Sequence, residues 1–239
     1  MRNDQFLHWL RHSASGRDLA ARESVFFETA ASEVYGQAAL QLGLNGLDTL
    51  AATHAKRRVY AGDDAACSVR CDVHHLPLAA ESVNAVTLPH TLELCGHPQQ
   101  ILRETYRVLK AEGRLVVTAL NPYGPWWWSR LWREVLPPRR DCIRIARLKD
   151  WLELLGFEIV AGQFMVYTPP LQDAARLHKL NFLNHAGNRW WPQYAAAYGL
   201  VAVKRVASLR LIKPQWYEEK AAVPGWAAPA KIRSSDETR

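Results

Sequence analysis

The pattern of apolar and polar positions in the middle of the chain predicts strands that alternate with a turn and a helix. The predicted strands of this central part are 69–71, 85–88 and 115–120. Apolar residues at helical spacing predict a helix over 99–110, and Gly113 is the expected stop. The strand after it is almost purely apolar, which is typical of a strand covered on both faces.

The same pattern predicts further elements on both sides of this centre. They are a helix at 18–35 ended by Gly36, strands at 38–42 and 58–61, a helix or turn at 48–55, a helix at 148–155, and strands at 157–166 and 199–205. Asp72 lies 29 positions after Gly43, whereas two full crossovers with their strands need roughly 30 to 34 residues. We therefore expect one shortened crossover, with a loop and no helix at 62–68.

Three short motifs follow one another in the central part. They are Asp72 with Leu76-Pro77, then His90-x-Leu92-Glu93 after the fourth strand, and then RVLKAEGRLVVT at 107–118. In this order they resemble the second half of a class I S-adenosylmethionine-dependent methyltransferase of the type 11 kind. The resemblance covers roughly 35–206. It implies an α/β, Rossmann-like, doubly wound and mostly parallel sheet, whose last strand inserts antiparallel beside the fifth.

The resemblance also implies S-adenosylmethionine as the cofactor, bound at the carboxyl edge of the sheet. Asp72 would meet the adenine, and Asp63 or Asp64 would hold the ribose unless both are ordinary turn residues. His90 is a candidate general base, with shaping of the donor pocket as the alternative. The full set of candidate cofactor-binding residues is Gly43, Gly46, Asp63, Asp72, Val73 and His90.

The turn after the first strand departs from the pattern of the family. Gln41 stands where an acidic residue is usual, and Gly43 matches the first glycine of the motif. Asn45 and Leu47 replace the second and third glycines, while Gly46 is out of step. A nucleotide-binding turn needs glycines so that the backbone can approach the ligand, so the glycine-rich motif is degenerate.

Composition and length place the chain among ordinary globular proteins. Its 239 residues are 49% hydrophobic, which is enough for one α/β core with additions. No signal peptide or membrane span is recognised, so a cytoplasmic location is expected. Cys67, Cys71, His74 and His75 could suggest zinc, but a small buried residue at the end of a strand explains Cys71. We predict no metal.

The excess of positive charge is concentrated in one segment that is also rich in tryptophan. The whole chain has a formal charge of +7, and 126–149 alone contributes +5. This mixture suits a membrane interface, a nucleic acid or an aromatic substrate, or simply a solvated lid. Tyr123 and Trp126 are the candidate acceptor contacts, although aromatic residues in a loop can equally serve packing. Peripheral membrane contact through 126–147 is one hypothesis.

These observations give a domain plan and three hypotheses of function. The plan is a helical lead-in at 1–35, a methyltransferase-like domain at 36–212 with a lid at 121–147 and an insertion at 168–195, and a disordered tail at 213–239. The leading hypothesis is a methyltransferase acting on a small or lipid-like acceptor. The alternatives are a degenerate methyltransferase-like binding or regulatory protein and an RNA methyltransferase, which the basic composition allows. Oligomeric state is not predicted.

Overall fold

The computed structural model describes residues 2–63, 67–128 and 136–206. The candidate Asp64, part of the predicted lid and the predicted tail at 213–239 lie outside these residues. The division into a lead-in, a domain and a tail therefore stays a prediction.

The described residues form seven helices and seven strands. The helices are α1 (Arg2–His12), α2 (Ala14–Ser32), α3 (Thr91–Leu94), α4 (Pro98–Val108), α5 (Ile145–Leu154), α6 (Ala174–Lys179) and α7 (Phe182–Trp190). The strands are β1 (Tyr35–Leu42), β2 (His54–Gly62), β3 (Val69–Arg70), β4 (Val83–Pro89), β5 (Leu109–Leu120), β6 (Phe157–Met165) and β7 (Ala197–Lys204). Short 3₁₀ turns occupy Pro125–Trp128 and Pro192–Tyr194.

The described strands form one seven-stranded sheet in the order β3-β2-β1-β4-β5-β7-β6. The pairs from β3 to β5 are parallel, whereas β7 lies antiparallel between β5 and β6. Both the Rossmann-like class I methyltransferase fold and the antiparallel last strand are thus confirmed. Only six residues, 63–68, join β2 to β3, which is too few for a crossover helix, as predicted.

At β5, each face of the sheet is covered by its own set of helices. On one face Leu115 and Val117 of β5 pack in the same cluster as residues of α4 and α5. On the other face Val116 packs in a cluster with residues of α1 and α2. Successive strand residues point to opposite faces, so a strand covered in this way must be apolar at every position. This explains the unbroken apolar run of β5.

The sequence pattern allowed a helix at 48–55, between β1 and β2, and the structure has none there. The helical lead-in predicted at 1–35 consists of two helices, α1 and α2, and not of a single one at 18–35. Residues 43–53 form turns and no helix, which is the turn alternative for 48–55. β1 and β2 are therefore joined without a crossover helix. Strand β2 is correspondingly open to solvent, and Lys56, Arg57 and Arg58 are exposed. Charged residues are tolerated there because no helix covers that part of the sheet.

Two glycines predicted as helix stops lie inside strands, and both helices end earlier. Helix α2 ends at Ser32, and Gly36 with φ +138° belongs to β1. Helix α4 ends at Val108, and Gly113 belongs to β5. At Gly36 the glycine is required because an added Cβ would lie 2.3 Å from Cγ of Asn84. The two glycines are needed for close approach within the sheet and not for helix termination.

Replacing Gly36 by alanine should lower the free energy of unfolding by about 2 to 4 kcal/mol. The new methyl group combines unfavourable backbone strain with displacement of Asn84, whose Oδ1 accepts from the backbone N–H of Gln37 at 2.9 Å. Urea denaturation measures the change. Gly96→Ala is the matched control, since Gly96 also has a positive φ, of +71°, but an added Cβ there meets nothing within 4 Å. Equal losses in both variants would contradict the steric explanation.

Candidate functional site

A cavity of about 1620 Å³ opens at the carboxyl edge of the parallel strands. Its walls come from the turn after β3 with Asp72, the α3–α4 connection, the turn after β5 with Tyr123, and most but not all residues of 139–151. Ligands of open α/β sheets bind at this edge. Pockets for drug-sized ligands are about 300 to 1,000 Å³, so the space is sufficient for a nucleoside together with a second small molecule.

Asp72 contributes a charged group to this cavity. Its side chain is 56% exposed, and its Oδ1 accepts from the backbone N–H of His74 at 2.9 Å. Nδ1 of His75 lies 3.1 Å from Oδ2, and Nδ1 of His74 lies 2.6 Å from Oδ1. These contacts, the backbone N–H first, hold the pKa of Asp72 well below its usual range. Asp72 is therefore a carboxylate at any physiological pH.

The turn that carries Asp72 is fixed to α4 by an ion pair that the sequence motifs did not reveal. Oε2 of Glu104 accepts from the backbone N–H of Leu76 at 3.0 Å, and Nη2 of Arg107 donates to the carbonyl of Leu76 at 3.0 Å. Glu104 and Arg107 also contact each other at 2.8 Å. Val73 of the same turn is buried in the hydrophobic core, so its side chain anchors the turn. The spacing of an acid and a base three residues apart on one helix was the only available signal.

The turn after β1, which carries Gly43 and Gly46, is called the glycine turn here. The side chain of Gln41 lies inside it and fixes its shape by hydrogen bonds. Its amide donates to the carbonyls of Leu44 and Leu47, at 3.3 and 2.5 Å. Its Oε1 accepts from the backbone N–H and the hydroxyl of Thr49, at 3.0 and 2.7 Å. A neutral amide both donates and accepts, whereas the carboxylate expected at this position only accepts. Glutamine in place of the usual acidic residue thus explains how the turn holds its shape without a helix after it.

The outer side of the glycine turn is covered by α1. An added Cβ at Gly46 would lie 2.3 Å from Cδ2 of Leu7, and Nη2 of Arg11 donates to the carbonyl of Gly46 at 2.8 Å. Gly43, with φ +65°, donates its N–H to the carbonyl of Ala61 at 2.9 Å. Neither glycine lines the cavity, and neither does Asp63, which lies exposed after β2.

His90 is fully buried and lies outside the cavity. Its Nε2 is 2.8 Å from Oε1 of Glu23 on α2, and its Nδ1 is 2.8 Å from Oε1 of Glu93 on α3. Burial alone would lower the pKa of His90, but Glu23 and then Glu93 outweigh it and raise the pKa to about 10. A buried imidazolium with no exposed surface is poorly suited to accept a proton from a substrate. This placement argues against His90 as a general base or a cofactor contact.

The two candidate acceptor residues have different positions. Tyr123 is 40% exposed and lines the cavity. Trp126 is buried, donates its indole N–H to the carbonyl of Thr168 at 3.1 Å, and packs edge-on against Trp9. Its ring belongs to the core below α1. Of the predicted pair, only Tyr123 is placed where it could meet a substrate.

Arginines surround Tyr123 at the mouth of the cavity. The guanidinium of Arg144 lies 4.7 Å from the centre of the Tyr123 ring, and that of Arg139 lies 5.7 Å away. Nε of Arg139 also donates to the carbonyl of Pro122 at 2.7 Å. The segment that carries both arginines is held to the sheet, because the buried hydroxyl of Tyr198 on β7 donates to the carbonyl of Ile143 at 2.8 Å. The cavity therefore has a positioned, positively charged wall.

The family model described as a methyltransferase domain matches 34–117, a range that begins just before β1 and ends within β5. This part of the chain is thus similar in sequence to a methyltransferase domain. An uncharacterised protein of Escherichia coli K12, YafS, is 34% identical over 149 residues, which are 60% of this chain and 57% of that protein. The match thus spans little more than half of that relative's length.

Solved structures share the fold at low sequence identity. A methyltransferase from Mesorhizobium loti described as S-adenosylmethionine-dependent is similar with a TM-score of 0.52 and 16% identity, covering 75% of this chain and 96% of that one. The [4+2]-cyclase SpnF is similar with a TM-score of 0.54 and 18% identity, covering 77% and 80% of the two chains. One sheet thus supports more than one reaction, and the activity of this domain must be argued from its own site.

S-adenosylmethionine is the cofactor that the methyltransferase domain implies, and the site fits it in part. The Asp72 side offers an ionised carboxylate beside open space, which can accept hydrogen bonds from the nucleoside. The glycine turn is packed against Leu7 and Arg11 of α1. The space beside Asp72 would hold the nucleoside half of the cofactor, whereas the glycine turn is covered by α1.

Replacing His90 by glutamine should lower the free energy of unfolding by about 3 to 5 kcal/mol at pH 6, because a buried pair loses one partner. The pKa of His90 is higher in the folded state, about 10, than its ordinary value of 6.5. Its contribution is therefore fully present below pH 6.5 and is lost as the pH rises toward 10. Urea denaturation should show that the difference in unfolding free energy between the wild type and His90→Gln becomes smaller from pH 6 to pH 10.

The control for this series is His178→Gln, which alters an exposed histidine on α6. Its unfolding free energy should follow that of the wild type at every pH. A constant difference between wild type and His90→Gln across the range would contradict the assigned ion pairs.

Proposed function

We propose that this protein is an S-adenosylmethionine-dependent methyltransferase whose acceptor is a small or lipid-like molecule. The observation that carries the proposal is the cavity beside the ionised Asp72, at the carboxyl edge of a methyltransferase domain. In this proposal Asp72 accepts hydrogen bonds from the nucleoside of the cofactor. The acceptor enters from the side of Tyr123.

The bound cofactor would supply an electrophilic methyl group on a sulfonium. The part of the protein is then to align the acceptor and to exclude water, which can provide most of the rate acceleration. Tyr123 and the arginine-bearing segment 139–147 are placed to do both, since they form one wall of the cavity. No fixed general base is needed for an acceptor that is already an anion.

The charges at the cavity favour an acceptor with an anionic group. Five arginines line it: Arg103, Arg139, Arg140, Arg144 and Arg147. The carboxylates along the same walls are Asp72, Asp141 and Asp150, and of these Asp72 is engaged by His74 and His75. Guanidinium groups pair with carboxylates and phosphates in a fixed planar geometry. A carboxylate or phosphate on the acceptor would therefore be held at Tyr123.

A second candidate function is a methyltransferase-like binding or regulatory protein that does not use the cofactor. The observation in its favour is the covered glycine turn, where Leu7 and Arg11 pack on Gly46 and Gln41 fills the interior. A protein of this kind would keep the cavity and its arginine wall for a ligand of its own. Cofactor binding separates the two candidates.

Titration calorimetry with S-adenosylhomocysteine should detect binding to the wild-type protein, and Asp72→Asn should weaken it about 10- to 100-fold. The reason is the loss of a charged hydrogen-bond acceptor, worth roughly 1.5 to 3 kcal/mol. Asp150→Asn is the control, because Asp150 is another carboxylate of the cavity wall and has no assigned role. No binding to the wild type at millimolar ligand would favour the second candidate, and unchanged affinity of Asp72→Asn would remove the role of Asp72.

Phenyl phosphate and benzoate should bind the cavity, while benzyl alcohol, which has the same ring without the charge, should not. Arg144→Gln should weaken binding of either anion about 10-fold, since one charge-assisted hydrogen bond is lost. Lys149→Gln is the control, because it removes a neighbouring positive charge that does not line the cavity. Binding is measured by calorimetry. If Arg144→Gln and Lys149→Gln lose affinity equally, the arginines act only through their overall charge and do not contact the anion directly.

A further inference from the structure

The outer surface of the helical insertion exposes an unusual number of aromatic rings. Phe182, Trp190, Trp191 and Tyr194 are 61, 72, 45 and 59% exposed, respectively. They lie at the two ends of α7 and in the 3₁₀ turn that follows it. Single exposed apolar residues are common on proteins, but a group of large ones within 13 positions marks an interaction site. We call these four residues the α7 aromatic surface.

The part of the insertion that follows Asp173 carries only positive formal charge. No aspartate or glutamate occurs between Asp173 and the last described residue, Val206, while Arg176, Lys179 and Arg189 are exposed there. The guanidinium of Arg189 lies 6.0 Å from the ring centre of Trp190. Arg176 contacts Asp173 at 3.4 Å, so Lys179 and Arg189 supply most of the unpaired charge.

The inner face of the same insertion is firmly attached to the domain. Oδ1 of Asn184 accepts from the backbone N–H of Tyr167 at 2.7 Å, and its amide donates to Asn181 at 2.8 Å. The ring of Tyr167 packs directly on Gly187, where an added Cβ would lie 2.3 Å away. The hydroxyl of Ser15 on α2 donates to the carbonyl of Leu171 at 2.8 Å. The outward aromatic rings therefore sit on an anchored support.

Tryptophan and tyrosine with basic residues and no acids are the composition of a membrane–water interface. The amphipathic rings lie at the level of the headgroups, and each basic residue near an anionic surface contributes about 1 kcal/mol. No helix in the described part of the chain combines the length and apolar character needed to span a bilayer. Any membrane contact by these residues would therefore be peripheral.

We propose that the α7 aromatic surface docks on an anionic lipid bilayer. This surface is distinct from the segment 126–147, for which the sequence suggested membrane contact. Among the described residues of that segment, Trp126 is buried and the indole N–H of Trp127 is engaged by the carbonyl of Asn121 at 2.7 Å. The proposal stands independently of methyl transfer, because none of its residues lines the cavity.

Co-sedimentation of the full chain with vesicles tests the proposal. Vesicles of phosphatidylcholine with a quarter of phosphatidylglycerol should retain the protein at 50 mM salt, and vesicles of phosphatidylcholine alone should retain at least 10-fold less. Retention should fall at 500 mM salt, since exposed charges are then screened. The double variant Trp190→Ala/Trp191→Ala should lose binding about 10-fold or more, because both rings enter the interface.

The matched control is Tyr35→Ala/Leu154→Ala, which removes two large exposed side chains elsewhere, 69 and 84% exposed. It should bind vesicles like the wild type. Circular dichroism verifies folding of each variant, and Lys179→Glu/Arg189→Glu provides a second test that leaves the rings in place. Retention that is equal for the two double alanine variants overturns the proposal. Salt-sensitive binding of single-stranded RNA without vesicle binding overturns it too, and assigns the surface to nucleic acid.

Discussion

The buried contacts of His90 with Glu23 and Glu93 join parts of the protein that are distant in sequence. Glu23 belongs to α2, whereas Glu93 belongs to α3 and also accepts the backbone N–H of Leu120 at the end of β5, at 2.8 Å. Charged groups in an apolar interior are costly unless they are paired. The chain can therefore bury these residues only when α2, the end of β4 and the end of β5 come together. This requirement fixes the N-terminal helices on the sheet.

The position of the N-terminal helices decides the form of the site. Residues 43–53 contain no helix, and Leu50 of these turns packs with Ala39 of β1. Helix α1 then packs on the glycine turn through Leu7 and Arg11, and Phe6 places its ring against His90 at 4.9 Å. The turn at Asp72, on the same edge, is held by α4 and lines the cavity. The carboxyl edge of the sheet thus carries both a covered turn and an open one.

The sequence predicted the architecture well, because the strands and α4 depend on local apolar patterns. Strand β5 and its antiparallel neighbour β7 follow from apolar runs of the right length. The pattern could not predict that Gly36 and Gly113 serve close contacts inside the sheet, since a glycine next to a helix looks the same in either role. The pattern predicted a helical lead-in at 1–35 but did not separate α1 from α2, for a related reason. The buried residues of α1, such as Phe6, Leu10 and Trp9, make sense only against the sheet and Trp126.

The candidate site was predictable only in part, and the histidines show why. His74 and His90 stand two and three positions, respectively, from an acidic residue of a motif, and sequence alone favoured His90 as the residue near the cofactor. In the structure His74 contacts Asp72 and the carbonyl of Gly96 at the cavity, at 2.6 and 3.1 Å. His90 instead meets Glu23, which is 67 positions away in the chain. A partner so distant leaves no local signal, so the pairing could not be inferred from spacing.

The tryptophans show that composition alone cannot predict which aromatic rings are buried. Both 126–147 and the insertion at 168–195 combine tryptophan with arginine, and composition does not distinguish them. The difference arises from hydrogen-bond partners. A buried indole needs an acceptor for its N–H, and Trp126 finds one in the carbonyl of Thr168, which lies just after β6. Trp190 ends α7 beyond Gly187, where the close packing on Tyr167 stops, and its ring is left in solvent. Exposure of an aromatic ring therefore depends on whether the fold supplies both a covering layer and an acceptor.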